Sequence, residues 1–283
     1  MPLDFKYRID KINFENCKVQ IKDGKTELII SFKNVDPLGD NILVNYYNDK
    51  DIRMTLVVMQ LYNVFHTILC ENNFKLKMPL YGVMTTSINK GLIQLLPDTQ
   101  VYDEMPIKDT SGYKNLFGKK SLNKYLTLNS GISPEEVYDN FISSNVSYGI
   151  MNYIMGVTQR NKKNLHFKRN GEIYYTEYNH LLNHYSKLLG DRGVPFVFNI
   201  TFVDFLSKIN KLKDFVDMFM KAFIIMRNKS KDILKLLEIL LSSGLPEISQ
   251  KSIRFLDDSL CLNKTKEEAE AMTDEVLNSI MNK

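Results

Sequence analysis

Lys18-Val19-Gln20-Ile21-Lys22-Asp23-Gly24-Lys25-Thr26-Glu27-Leu28-Ile29-Ile30-Ser31-Phe32 reads as a β-hairpin. Two runs rich in β-branched residues flank Asp-Gly, the strongest short signal for a tight hairpin turn. Working outward, Ile42 to Tyr47 continues as a further strand. The period then changes. From Asp51 to Cys70, Ile52, Leu56, Met59, Val64 and Ile68 recur near helical spacing, which predicts a helix. Gly82 to Thr86 and Leu92 to Leu96 return to strand. The first part is therefore α+β with a mainly antiparallel sheet.

Beyond residue 97 the character is helical. Ser133-Pro134-Glu135-Glu136 combines an N-cap serine, a proline at the first helical position and acids in the first turn, and predicts a helix to about Met155. Short strands over Asn164 to Phe167 and Ile173 to Tyr175 flank Gly171. After Pro195 the pattern is helical to the end, broken at Ser243-Gly244-Leu245-Pro246. The expected architecture is a small β-rich lobe over 1–96 and a larger helical lobe over 97–283.

Composition bounds the possibilities. The 283 residues carry 37 Lys and Arg against 33 Asp and Glu, hence +4, with 44% apolar and 25% charged residues. This excludes disordered and collagen-like classes. Cys17, Cys70 and Cys261 are far apart and form no CxxC pair, which fits a reducing compartment rather than a disulfide or zinc framework. The start has no apolar signal-peptide core, and the run from Ile233 to Leu241 contains Lys235 and Glu238 and is too short to span a bilayer. The basic surplus is spread along the chain, so no nucleic-acid partner is expected. Glycine is scarce, 13 in 283, below the ~7% typical of proteins.

The order of short motifs resembles the catalytic domain of the phosphoinositide 3-/4-kinases, most of all class I phosphoinositide 3-kinases. Cys17-Lys18-Val19 and Phe32-Lys33-Asn34-Val35-Asp36-Pro37 are similar to the family's first hairpin and its exit. Asp51-Ile52-Arg53 resembles Asp-Leu-Arg at the start of its first long helix. Leu80-Tyr81-Gly82 and Gly91-Leu92-Ile93 resemble the strands leading to the hinge. Tyr148-Gly149-Ile150 to Gly156, Val194-Pro195-Phe196-Val197 and Ser243-Gly244-Leu245-Pro246-Glu247 continue the series. The resemblance covers about Cys17 to Ala271 and implies an α+β, two-lobed, protein-kinase-like fold.

It also implies where chemistry would sit. Phosphoryl transfer needs charge neutralisation, metal ligands and a group to position the attacking hydroxyl. At the family's phosphate-binding lysine this chain has Tyr47, and two residues after Arg53 the family's Asp is Thr55. The catalytic loop, Gly-Asp-Arg-His-x-x-Asn in the family, reads Thr158-Gln159-Arg160-Asn161-Lys162-Lys163-Asn164. Arg160 and the metal-binding Asn164 are kept. Asn161 replaces the His base and cannot take a proton near neutral pH. The metal-binding Asp-Phe-Gly reads Glu177-Tyr178-Asn179, followed by His180. Glu keeps the carboxylate with an added methylene, which shifts or loosens a metal. In the substrate loop, Lys187 stands where several cations are usual. Tyr81 and Leu96 fall where the family lines its ATP pocket.

The residues carry plainer readings too. Asn164 serves equally as a loop cap, and Glu177 as an ordinary loop acid. His180 and His184, four apart, lack a third ligand nearby and read as structural. Lys22, Lys25, Lys50, Lys162 and Lys163 offer substitute phosphate contacts or simply a solvated surface.

The joint replacements imply a catalytically impaired pseudokinase acting as a binding or regulatory module in phosphoinositide signalling. The alternative is an active, divergent phosphatidylinositol kinase transferring the γ-phosphate of ATP to an inositol lipid. The cofactors implied are ATP and Mg²⁺ where nucleotide binding survives, and otherwise none. The family implies a cytoplasmic protein, peripheral at membranes, whose partners are a phosphoinositide surface or a cellular kinase-pathway protein. Read as complete, the chain leaves no room for the adaptor-binding, Ras-binding, C2 and helical regions of class I enzymes, which points toward regulation.

Overall fold

The computed structural model describes residues 3–4, 7–22, 24–107, 122–157, 162–178, 200–245 and 248–281. The chain forms two units, the first comprising 1–63, 79–99 and 176–179, the second 64–78, 100–175 and 180–283.

The first unit is built on strands β1 (Ile9–Ile12), β2 (Lys18–Lys22), β3 (Lys25–Asn34) and β4 (Ile42–Asn48), the first part of helix α1 (Arg53–Glu71), and strands β5 (Val83–Ser87) and β6 (Lys90–Leu95). The sheet order is β1-β3-β4-β6-β5, with β2 also paired to β3, and every pairing is antiparallel. The expected hairpin is β2–β3: Lys22 pairs with Lys25 around Gly24, whose φ of +76° lies in the left-handed region. The sequence did not predict β1.

Because side chains alternate across a strand, the register fixes what shares a face. One row is Gln20, Glu27, Tyr47 and Gly91. The next is Lys18, Ile29, Asn45 and Ile93, and a third is Ser31, Leu43 and Leu95. β4 is central, so residues on both its faces are buried: Ile42 and Val44, but also Asn45 and Tyr47. A Cβ on Gly91 would run into the Ile52 side chain and the Met84 carbonyl, so this close approach requires glycine.

The helix expected over Asp51 to Cys70 is α1. Asp51 starts it, its carboxylate accepting from the Arg53 backbone N–H at 2.9 Å and pairing with the Arg53 guanidinium. Of the expected series, Ile52, Met59 and Ile68 are buried and Leu56 is half-buried. Met54, Val57, Val58, Leu61, Tyr62, Phe65, Ile68 and Leu69 are buried, whereas Val64 is exposed. Apolar residues stand on more than one side of this helix, so several stripes fit the pattern and packing selects among them. The boundary between the units falls within it, after Asn63.

The second unit contains β7 (Thr99–Val101) from its second residue on, α2 (Leu122–Asn129), α3 (Pro134–Met155), β8 (Leu165–Lys168), β9 (Ile173–Tyr175), α4 (Ile200–Lys208), α5 (Leu212–Asn228), α6 (Ser230–Leu241), α7 (Gln250–Ser259) and α8 (Lys266–Met281). β7, β8 and β9 form a small sheet. α3 begins as predicted: the Ser133 hydroxyl accepts from the Glu136 N–H, Pro134 follows, and Gly156 ends the helix in left-handed conformation. Almost every residue from Val137 on is buried, so α3 is the axis of this unit. Its polar residues are matched to backbone. Ser143 and Ser147 hold the N–H and carbonyl of Lys77 at 2.6 and 2.8 Å, and Ser144 accepts from the Ile173 N–H at 3.0 Å. Around it, Phe141 packs against Phe167, Phe202 and Phe205. α5 lays Phe215, Phe219, Ala222, Phe223 and Met226 into the core at i, i+4, i+7, i+8 and i+11.

Candidate active site

In the first unit, the end of β4 and the segment 176–179 bring Tyr47, Lys50 and Glu177 together. Past Asn48 the chain turns through Asp49 at φ 74°, and the Lys50 N–H donates to the Asn89 carbonyl at 2.8 Å. This anchor aims the lysine. Its Nζ lies 2.9 Å from Glu177 Oε2 and 4.8 Å from the centre of the Tyr47 ring. The Tyr47 hydroxyl donates to Glu177 Oε1 at 3.3 Å. Both oxygens of a carboxylate that is only 8% exposed are therefore engaged by this chain's own donors.

Glu177 has φ 61°, a conformation unfavourable for a side chain with a full Cβ. Such strain persists where the surroundings over-determine it. Here the next residue is held as well. The Tyr178 N–H donates to Thr55 Oγ1 at 3.2 Å, and the Tyr178 ring meets Tyr62 edge-on at 5.6 Å. Thr55, where the resemblance expects an Asp, is buried and works as a backbone acceptor for this turn.

A second carboxylate lies one strand away. Glu27, 3% exposed and directly across from Tyr47, accepts from Gln20 and Asn45 at 2.9 and 2.8 Å. Burial, then the charges of Glu177 and Glu27, push the Tyr47 phenol far above its ordinary value, so it stays a neutral donor.

Of the expected ATP-pocket positions, Tyr47 and Tyr81 are buried and Leu96 is half-buried. Reciprocal bonds between Gly82 and Gln94 hold Tyr81 beside the end of β6, and the Leu96 carbonyl accepts from Thr99 Oγ1. Of the two metal positions, Glu177 belongs to the first unit, and Asn164, closing a 3₁₀ turn before β8, to the second. The catalytic-loop residues Gln159, Arg160 and Asn161, the substrate-loop Lys187, and Asn179, His180 and His184 lie outside the described residues. Among the described residues no group of three or more His, Cys, Asp or Glu is placed to hold a metal.

At two of the implied positions the residues differ in kind from a phosphate- and metal-binding set. The position implied for the phosphate cation is a neutral phenol, and the lysine present neutralises the acid implied for the metal. Glu27 went unnoticed in the sequence; its signal was an acid preceding the apolar run Leu28-Ile29-Ile30, opposite the strand that ends in Tyr47.

An antiparallel sheet unit, a helical unit built on a buried central helix, and a carboxylate returned from residue 177 to the sheet together describe the α+β fold of lipid-kinase catalytic domains. The sequence model described as "Phosphatidylinositol 3- and 4-kinase" matches residues 41–250, and the chain belongs to that family. It is 27% identical over 258 residues to the human "Phosphatidylinositol 3-kinase C2 domain-containing subunit gamma", covering 88% of this chain and 17% of that protein. It is 26% identical over 243 residues to the human "Phosphatidylinositol 4-phosphate 3-kinase C2 domain-containing subunit beta", covering 82% and 15%. The rat gamma subunit is 26% identical, covering 95% and 18%. The chain thus spans less than a fifth of the length of these relatives. They are C2 domain-containing subunits, a branch that the resemblance to class I enzymes did not single out.

Proposed function

We propose that this kinase-family domain acts as a binding or regulatory module without efficient phosphotransfer. The observation that supports this is the closed set Tyr47–Glu177–Lys50. A charged group aimed at a developing charge contributes several kcal/mol to a transition state. Here the cation is absent from its implied place, and the acid is already matched. Purified chain, incubated with phosphatidylinositol vesicles, Mg²⁺ and γ-labelled ATP, is expected to give no lipid product above a heat-killed control. Product that disappears in Glu177→Ala would overturn the reading.

The active alternative draws on one observation: Glu177 keeps a buried carboxylate beside a lysine. It requires Lys50 to leave Glu177 for the phosphates, so ATP with Mg²⁺ should raise the melting temperature, and Lys50→Met should abolish the rise. Under the regulatory reading neither occurs. The partner we propose is a protein of a phosphoinositide-kinase pathway or a phosphoinositide-bearing membrane surface met in the cytoplasm. No helix among the described residues is long and apolar enough to cross a membrane. Co-purification from cells and sedimentation with vesicles separate the two partners.

A further inference from the structure

A second feature of the first unit lies on the same sheet face as Tyr47, toward the opposite strand ends. It is a pocket of about 410 Å³. Its floor is Ile29, Leu43 and Leu95, joined by Ser31, all placed on one face by the register. Its rim carries Asp40 and Asp98, both exposed, against the single cation Lys18. Asp98 is held at φ 53° in the turn after β6, next to Pro97. Ser31 is wholly buried, and its hydroxyl has no hydrogen-bond partner among the described residues. A buried hydroxyl without a partner among the described residues is unusual.

We propose that this pocket binds a small amphipathic amine, with its apolar body over Ile29, Leu43 and Leu95 and its ammonium at Asp40 and Asp98. Three features select that class. The floor is aliphatic and rewards a flat apolar body. The rim carries one more carboxylate than it has cations, which favours a cation and disfavours an anion. The Ser31 hydroxyl gives one polar contact at the floor, suited to a ring N–H. The proposal does not depend on whether phosphotransfer survives, because none of these residues belongs to the Tyr47–Lys50–Glu177 set.

The test uses three probes of nearly equal shape: tryptamine, a cation; tryptophol, neutral; and indole-3-propionate, an anion. Binding to the full chain is followed by calorimetry or protein NMR at low and high salt. Tryptamine is expected to bind at least fivefold tighter than tryptophol, with the advantage shrinking in salt, and indole-3-propionate weakest. Asp40→Asn with Asp98→Asn should erase the amine's advantage while leaving tryptophol binding unchanged. Both residues are exposed, so an unaltered melting curve verifies that the variant is folded. Equal binding of the three probes, a preference for the acid, or no tryptamine binding at millimolar concentration would overturn the proposal.

Discussion

Lys50 and Glu177 are each other's compensation. Lys50→Met would leave a carboxylate 8% exposed beside a neutral phenol, and the lysine is itself 22% exposed. The expected loss is about 2 kcal/mol, below the ~3–5 typical of fully buried pairs because water reaches the lysine. A lower urea midpoint with unchanged slope would show it, and Glu177→Gln in the same background should recover most of the loss. Tyr47→Phe removes only the hydroxyl's bond to Glu177 and should cost about 1 kcal/mol. His66 gives a pH signature. Half-buried on α1, with Nε2 3.6 Å from the Cys70 sulfur, it has its pKa lowered by burial. The unfolded chain therefore takes up this proton first, near the ordinary ~6.5, and folding stability falls as pH drops below that value toward the lowered one. Thermal melts from pH 7.5 to 5.5 should show that decline, and His66→Phe should flatten it.

At the scale of elements, the close approach at Gly91 and the cap at Ser133 make separate predictions. Gly91→Ala should destabilise by about 1–3 kcal/mol, since the new Cβ meets the Met84 carbonyl as well as a side chain that can move. Ser133→Ala should cost about 1 kcal/mol, read as a drop in melting temperature, because it leaves the Glu136 N–H without its acceptor. These elements also mark what a sequence can say. The β2–β3 hairpin, α3 and the pair β8–β9 carry local signals: Asp-Gly, Ser-Pro-Glu-Glu and Gly171. β1 and β7 are four and three residues long and exist only through pairing with distant strands, so no local pattern announces them. Within α1 the exposure of Val64, apolar and in series with buried neighbours, has a like reason: burial depends on what packs against the helix.

For the molecule as a whole, the family and the α+β architecture were legible because many weak motifs recur in one order. The candidate site was legible mainly as losses, with Lys50 named only as one of five lysines that could substitute at the phosphates. Reading Tyr47, Thr55 and Glu177 as departures from a pattern identifies what is gone, but it does not reveal what replaced it. That Lys50 closes on Glu177 depends on a turn at Asp49 and an anchor at Asn89, and that Thr55 supports Tyr178 depends on a contact across 123 positions. The same spacing in sequence has a consequence for biogenesis. The first unit draws its last members from residues 176–179. During synthesis from the N-terminus, its sheet strands emerge long before the residue that neutralises Lys50 and the N–H that Thr55 accepts. The nascent sheet lacks those contacts until roughly eighty more residues have left the ribosome, about 4–16 s at ordinary elongation rates. A fragment ending at residue 99 is thus expected to remain unfinished, and a stalled-ribosome series should show protease resistance of the first strands appearing only once residue 179 has cleared the exit tunnel.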